Sequence, residues 1–79
     1  MILDKKNIRF GCVVRNIRMA SSLTQEDLAA QSGLARSYIG GIERGERNPT
    51  LAVIEKIADG LGISLAELFS SYSTQEPKA

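Results

Sequence analysis

Histidine is absent and cysteine occurs once, at Cys12, so the groups that most often ligate zinc, shuttle protons or form disulfides are missing. Carboxylates occur at Asp4, Glu26, Asp27 and beyond, but no glycine-rich phosphate loop, metal cluster or nucleophile-base pair accompanies them. The expectation is therefore a protein that is not an enzyme and holds neither metal nor cofactor. Cys12 has no basic neighbour specified to activate it and reads as a small, partly buried apolar residue. What is left is chemistry by contact, carried by arginine and lysine. Their placement is uneven: Lys5, Lys6, Arg9, Arg15 and Arg18 face one acid, Asp4, whereas from Glu55 onward four acids face Lys56 and Lys78. The formal charge of +1 neither announces nor forbids a polyanionic partner, so any argument for nucleic acid must come from where the bases of the chain stand.

These side chains must be positioned by a small frame. With 79 residues, 43% hydrophobic and 24% charged, the chain has the composition of one globular domain and no room for a second. No apolar run approaches the roughly 18 residues a membrane span needs. The N-terminus lacks the long apolar core of a secretory signal, and a lone cysteine suits a reducing compartment, so a cytoplasmic protein with no membrane partner is expected. Domains of this size bury proportionally little surface and are often reinforced by a disulfide, a metal or a second subunit. The first two are unavailable here, which favours a dimer.

The apolar spacing predicts helices throughout residues 7–69, with residues 1–6 as an N-terminal tail and residues 70–79 as a polar tail that frays. Phe10, Val14 and Ile17 mark the buried stripe of a first helix ending near Ala20. Thr24 and Asp27 form an N-terminal cap, with Leu23 and Leu28 as its hydrophobic staple, for a second helix over Gln25 to Ser32. Gly33 suits the left-handed residue at its end. The third helix runs from about Arg36 to Arg44 with Ile39 and Ile42 inward; Ala35 offers it no side-chain cap, and Gly45 stops it. Thr50 caps a fourth helix whose face is Leu51, Ile54, Ile57, Ala58 and Leu61, ended by Gly60 or Gly62. Ser64 and Glu67 form a capping box for a fifth helix, with Phe69 near its end. No segment reads as a strand. The fold expected is all-α, a compact five-helix bundle.

Two short helices joined by a tight turn, Gln25 to Ser32 and Arg36 to Arg44, form a helix-turn-helix candidate, a device that holds its second helix proud of the domain for the major groove of DNA. The run Leu23-Thr-Gln-Glu-Asp-Leu-Ala-Ala-Gln-Ser-Gly-Leu-Ala-Arg-Ser-Tyr-Ile-Gly-Gly-Ile-Glu-Arg-Gly-Glu-Arg-Asn-Pro-Thr-Leu51 closely resembles the helix-turn-helix of the lambda repressor and Cro family, the Xre-type regulators. The likeness continues through Ile57-Ala-Asp-Gly-Leu-Gly-Ile-Ser-Leu-Ala-Glu-Leu-Phe69. Within that family, Arg36-Ser-Tyr-Ile-Gly-Gly-Ile-Glu-Arg44 followed by Arg47-Asn48 in a one-domain chain is most similar to the controller proteins of restriction-modification systems.

The resemblance implies a lambda repressor-like DNA-binding domain and assigns sites to it. The family's phosphate-anchoring glutamine falls on Gln25, and its base-reading positions fall on Arg36 and Ser37, with Tyr38 beside them. Arginine suits guanine O6 and N7 bidentately, which makes Arg36 the first choice for direct readout. A third reading position falls on Gly41, which has no side chain to read with. Arg44, Arg47 and Asn48 stand where the family touches phosphates, and Arg18 is a further phosphate candidate. Plainer readings stand beside these: Arg15 and Arg18 as solvated helix positions, Tyr38 as core packing, and Arg44 as a partner of a nearby acid within the domain or on a second subunit.

The function implied is a sequence-specific regulator of transcription that binds double-stranded operator DNA as a homodimer, with half-sites about 34 to 36 Å apart. RNA polymerase is a candidate further partner. The dimer interface is expected on Leu65, Leu68 and Phe69, although Leu68 is as readily a core residue. The alternative is an antitoxin-type or phage-type repressor whose main partner is another protein.

Overall fold

The computed structural model describes residues 3–74, and every element in that span is an α-helix: α1 (Lys5–Ala20), α2 (Gln25–Ser32), α3 (Arg36–Glu43), α4 (Leu51–Leu61) and α5 (Leu65–Thr74). Most helix starts follow from local capping. The Asp4 side chain accepts from the Lys6 N–H at 2.8 Å, which brings α1 forward to Lys5, into residues expected to be tail. Ser64 and Glu67 exchange bonds of 2.9 and 3.0 Å as the expected capping box, and the expected Thr24 cap, which accepts from the Asp27 N–H at 3.0 Å, is completed to a second box by a 2.9 Å bond from the Thr24 N–H to the Asp27 carboxylate. Thr50 caps α4 through the Val53 N–H. As the sequence predicts, Ala35 at the N-cap of α3 supplies no side-chain cap.

At the helix ends, one open alternative is resolved and one expectation is corrected. Gly62, not Gly60, ends α4 in the left-handed conformation, because Gly60 faces Leu28 and Ser32 across the α2–α4 contact inside the helix. The fifth helix runs past Phe69 to Thr74, into the stretch expected to fray. Its extension is anchored by Tyr72, which packs on the core, carries the Arg9 guanidinium over its ring at 5.1 Å and meets Phe69 edge-on at 6.4 Å. Residues 75–79 of the expected tail lie outside the described residues, as do residues 1 and 2.

The core is one cluster to which all five helices contribute: Phe10, Val13 and Val14 from α1, Leu28 from α2, Ile39 and Ile42 from α3, Ile57 and Leu61 from α4, and Leu68 from α5. Leu68 is fully buried within the subunit, which corrects its assignment to a dimer interface. At the position i+4 from Ser64 it falls on the inner face of a helix that packs against both α1 and α4. The crossing of α1 over the end of α3 is close enough to demand glycine at one place: a Cβ on Gly11 would collide with the carbonyl oxygens of Ile42 and Glu43. That close approach fixes how α3 leans on α1, and so which side of α3 faces outward.

Candidate nucleic-acid interface

The helix pair α2–α3 is joined by Gly33, Leu34 and Ala35, with Gly33 at φ 74° and its N–H bonded to the Ala29 carbonyl at 2.9 Å. Leu34 packs on the core and pins the turn from inside. Ile39, Gly40, Gly41 and Ile42 are buried in the middle of α3, and its two ends face outward, with Arg36 and Ser37 at one and Arg44, followed by Arg47 and Asn48, at the other. These five side chains are all exposed. Tyr38 is half-buried: its body packs on the core, and the Arg47 guanidinium lies over its ring at 5.4 Å. The packing reading of this tyrosine is thus realised, by the part of the side chain that meets the core.

Two of the outward arginines are held by acids in the same subunit. Arg36 Nε lies 3.3 Å from Glu26 Oε2, with both side chains more than half exposed, and Arg44 Nε donates to Glu46 Oε2 at 3.0 Å. Water screens such pairs, so neither is tied down against a stronger ligand. The bond to Glu46 raises the pKa of Arg44, and the bond from Arg44 holds the Glu46 carboxyl below its ordinary value. Both groups are therefore charged at neutral pH.

Arg18 is in a different situation. Its Nε and Nη2 donate to Glu43 Oε2 and Oε1 at 2.6 and 3.0 Å, and its Nη1 donates to the Leu23 carbonyl at 2.8 Å. The two side chains are only 11% and 4% exposed, and the hydrogen bond to Glu43 raises the Arg18 pKa further against the opposing effect of burial. This guanidinium is spent inside the domain, so its expected role as a phosphate ligand is corrected to a structural one. Gln25 belongs to the same network, since its Nε2 donates to Glu43 Oε1 at 3.0 Å. One of the two amide N–H donors expected to anchor a phosphate is thus engaged, which orients the amide and leaves the second donor for that role, and the network ties the end of α1, the start of α2 and the last turn of α3 together.

Glu43 is the functional-end residue the sequence reading did not single out. A signal was available: Glu43 follows Ile39 by four residues and Arg18 follows Val14 by four, so each lies one turn from a fully buried residue on the same helix face. A carboxylate in that register needs a partner.

Comparison with known proteins agrees with this geometry. A family model described as helix-turn-helix matches residues 14–68, from the middle of α1 into α5. The chain belongs to the helix-turn-helix family. Among relatives of this helix-turn-helix chain, Control protein C.MunI of Mycoplasma sp is 50% identical over 64 residues, covering 80% of this chain and 86% of that protein. Control protein C.BamHI of Bacillus amyloliquefaciens is 49% identical over 65 residues, covering 78% and 80%. Among solved structures, the restriction-modification controller protein C.Esp1396I, as a tetramer in complex with its natural 35 base-pair operator, superimposes with a TM-score of 0.88 at 38% identity, over 91% of this chain and 95% of that one. The five-helix, Xre-type architecture expected from the sequence is therefore the architecture present. Among the described residues, no helix of the chain is long and apolar enough to cross a membrane, and no group of three or more acids or thiols is placed to hold a metal ion.

Proposed function

We propose that this chain is a DNA-binding transcription regulator of the restriction-modification controller kind, acting in the cytoplasm as a homodimer on a pseudo-palindromic operator. The observation that carries the reading is the outward edge of α3. A helix held proud by its neighbour presents Arg36 and Ser37 at its start and a cluster of Arg44, Arg47 and Asn48 at its end, on a fold that superimposes on a controller bound to its operator. Arg36 exchanges its weak contact with Glu26 for a guanine edge, Ser37 and Tyr38 lie beside it for further base contacts, and Gln25 and Asn48 stand at the phosphates on either side. The protein works by binding and not as an enzyme.

One recognition helix covers little DNA, so the affinity requires a second copy. The surface offered for it lies on α5 and its neighbours. Phe69 is 38% exposed, Leu65 is half-buried, and a groove bounded by α1, α4 with the loop before it, and α5 has Asn7, Phe10, Pro49, Ile54, Phe69 and Tyr72 in its lining. A self-complementary contact through Phe69 covers apolar groups that a monomer leaves in water. A regulator seated at a promoter shares that DNA with RNA polymerase, which makes polymerase the further partner of this reading.

Selection of duplexes from a randomised pool tests the proposal. Two related half-sites whose centres lie about one helical turn apart are expected, bound by a particle of twice the monomer mass. Failure to enrich any sequence, or enrichment of a single unpaired half-site by a monomer, would overturn it.

A further inference from the structure

The first turns of α1 run against local electrostatics. A helix N-terminus carries a partial positive charge and is stabilised by acids, yet the first turn of α1 holds none, and Lys5, Lys6 and Arg9 stand there and just beyond. Arg9 follows Lys5 by four residues and Lys6 by three, so the cations are neighbours on the helix surface and repel one another. Together with Tyr72 they line one hollow of about 170 Å³. The Arg9 guanidinium is half-buried over the Tyr72 ring at 5.1 Å, whereas both lysines are exposed. Asp4 answers this charge from the N-cap, where its carboxylate accepts from the Lys6 backbone N–H at 2.8 Å. Among the described residues Arg18, Arg36 and Arg44 each have a carboxylate partner, and Lys5, Lys6 and Arg9 have none.

Contacts with the segment after α3 place this cluster. Gly45 turns there with a φ of 78°, and a Cβ on it would collide with Cγ1 and Cα of Ile8, so the chain leaving α3 runs directly against the start of α1. Lys6 lines one groove together with Asn48, which follows α3, and with Phe69, through which the homodimer is proposed to close. The lysines of α1 thus continue the exposed row of Arg44, Arg47 and Asn48 toward the two-fold axis of that dimer. We infer that Lys5 and Lys6 form a second DNA-contact surface, which holds the sugar-phosphate backbone between the two half-sites by charge alone. This rests on the DNA-binding homodimer proposed above. Exposed ammonium groups on flexible stems suit phosphates, which a positive charge can meet from many rotamers, and they do not fix the donor planes that base reading needs. A protein partner fits the cluster less well, because lysine is depleted at protein interfaces and the one apolar body in the hollow, the Tyr72 ring, is already covered by Arg9. Arg9 adds its charge to the same field from its fixed seat. When phosphates arrive, the repulsion that the free helix bears is relieved and counterions leave the duplex.

The experiment uses the full chain and the duplex that it selects from a randomised pool. Affinity is measured from low to high salt for wild type and for the double variant Lys5→Gln with Lys6→Gln. Both proteins are also titrated against duplexes in which neutral methylphosphonates replace phosphates, either between the half-sites or outside them. The variant lacks two charges in each copy, so its logarithmic salt slope should be shallower by about two to four, since each phosphate contact contributes about 0.9. Affinity for the selected duplex should fall about tenfold or more at physiological salt, while the order of preference among single-base-pair changes stays that of the wild type. Methylphosphonates between the half-sites should cost the wild type a similar factor and the variant much less, whereas those outside should cost both alike. Like charges leave a helix N-terminus, so the variant should melt at the same or a higher temperature, and sedimentation without DNA should show the wild-type dimer. The inference is overturned by an unchanged salt slope, by altered base preference, by an equal cost of the inner methylphosphonates in both proteins, or by a variant that melts lower or no longer dimerises. A pool from which nothing is enriched removes the DNA-binding function itself, and this inference with it; enrichment with an unchanged slope removes only this inference.

Discussion

At the α2–α3 end of the molecule the outward side chains are charged and already engaged, Arg36 with Glu26, Arg44 with Glu46 and Arg47 with Tyr38. The face carried by α5 and the start of α4 exposes apolar groups instead, with Phe69 at 38%, Leu51 at 63% and Ile54 half-covered. The first surface gives up weak contacts for stronger ones when a polyanion approaches, and its specificity comes from geometry. The second gains by leaving water, and almost any well-shaped apolar partner would satisfy it. Beneath the charged end lies a third environment, the Arg18–Glu43 pair, in which the same two residue types act as structure because water is excluded.

That contrast can be broken by mutation, and the buried pair should give the largest effect. Glu43→Ala leaves the Arg18 guanidinium buried with only a carbonyl for a partner and is expected to cost about 3 to 5 kcal/mol of stability by urea unfolding. Arg18→Met combined with Glu43→Leu should recover most of it; a single-variant cost near that of a surface pair would place Arg18 back among the solvated side chains. Next comes the apolar face. For the proposed homodimer, Phe69→Lys should weaken association by about 2 kcal/mol or more, read by sedimentation across a dilution series, while the subunit still folds. Unchanged association would move the interface away from α5. Arg36→Ala is expected to remove about 1 to 3 kcal/mol of discrimination at one operator base pair with little effect on folding, and an equal loss on cognate and random duplexes would deny it a reading role.

Two smaller effects sharpen the difference between exposed and buried charge. The Asp27 carboxyl is held below its ordinary pKa, first by the Thr24 backbone N–H and then by the Thr24 hydroxyl. Because the folded value is depressed, this contribution is complete above the unfolded pKa and is lost as pH falls through the folded one. Acid unfolding below about pH 4 should therefore be less steep in Asp27→Asn than in the wild type. Glu26→Gln, which removes the exposed partner of Arg36, should change stability by less than about 0.5 kcal/mol in thermal melts; a larger loss would mean that this surface pair is structural after all.

Much of the fold was legible because its signals are local. Thr24 with Asp27 and Ser64 with Glu67 are each three residues apart and cap their helices whatever surrounds them, and Gly33 and Gly62 end helices with their own backbone. The misreadings lie where a distant neighbour decides. The polar stretch after Phe69 carries no strong apolar pattern, yet it stays helical to Thr74 because Tyr72 packs on the core and meets Arg9 from α1. The sequence offers Leu68 equally to core or interface, and burial against α1 and α4 settles it.

The candidate site divides in the same way. Arg36, Ser37, Arg44, Arg47 and Asn48 were assigned through the resemblance to the lambda repressor and Cro family, and all five side chains stand exposed at the two ends of a helix whose inner residues are Ile39 and Ile42. Arg18 is 25 residues from Glu43 along the chain, and no spacing rule connects them. The sequence by itself determined five helices, their caps and the polar edge of the third, since these depend on contacts within a turn or so of chain. Only the tertiary structure decided which arginine is buried and which leucine is core. Each of those depends on a side chain from another element, and desolvation or contact begins only when that element arrives.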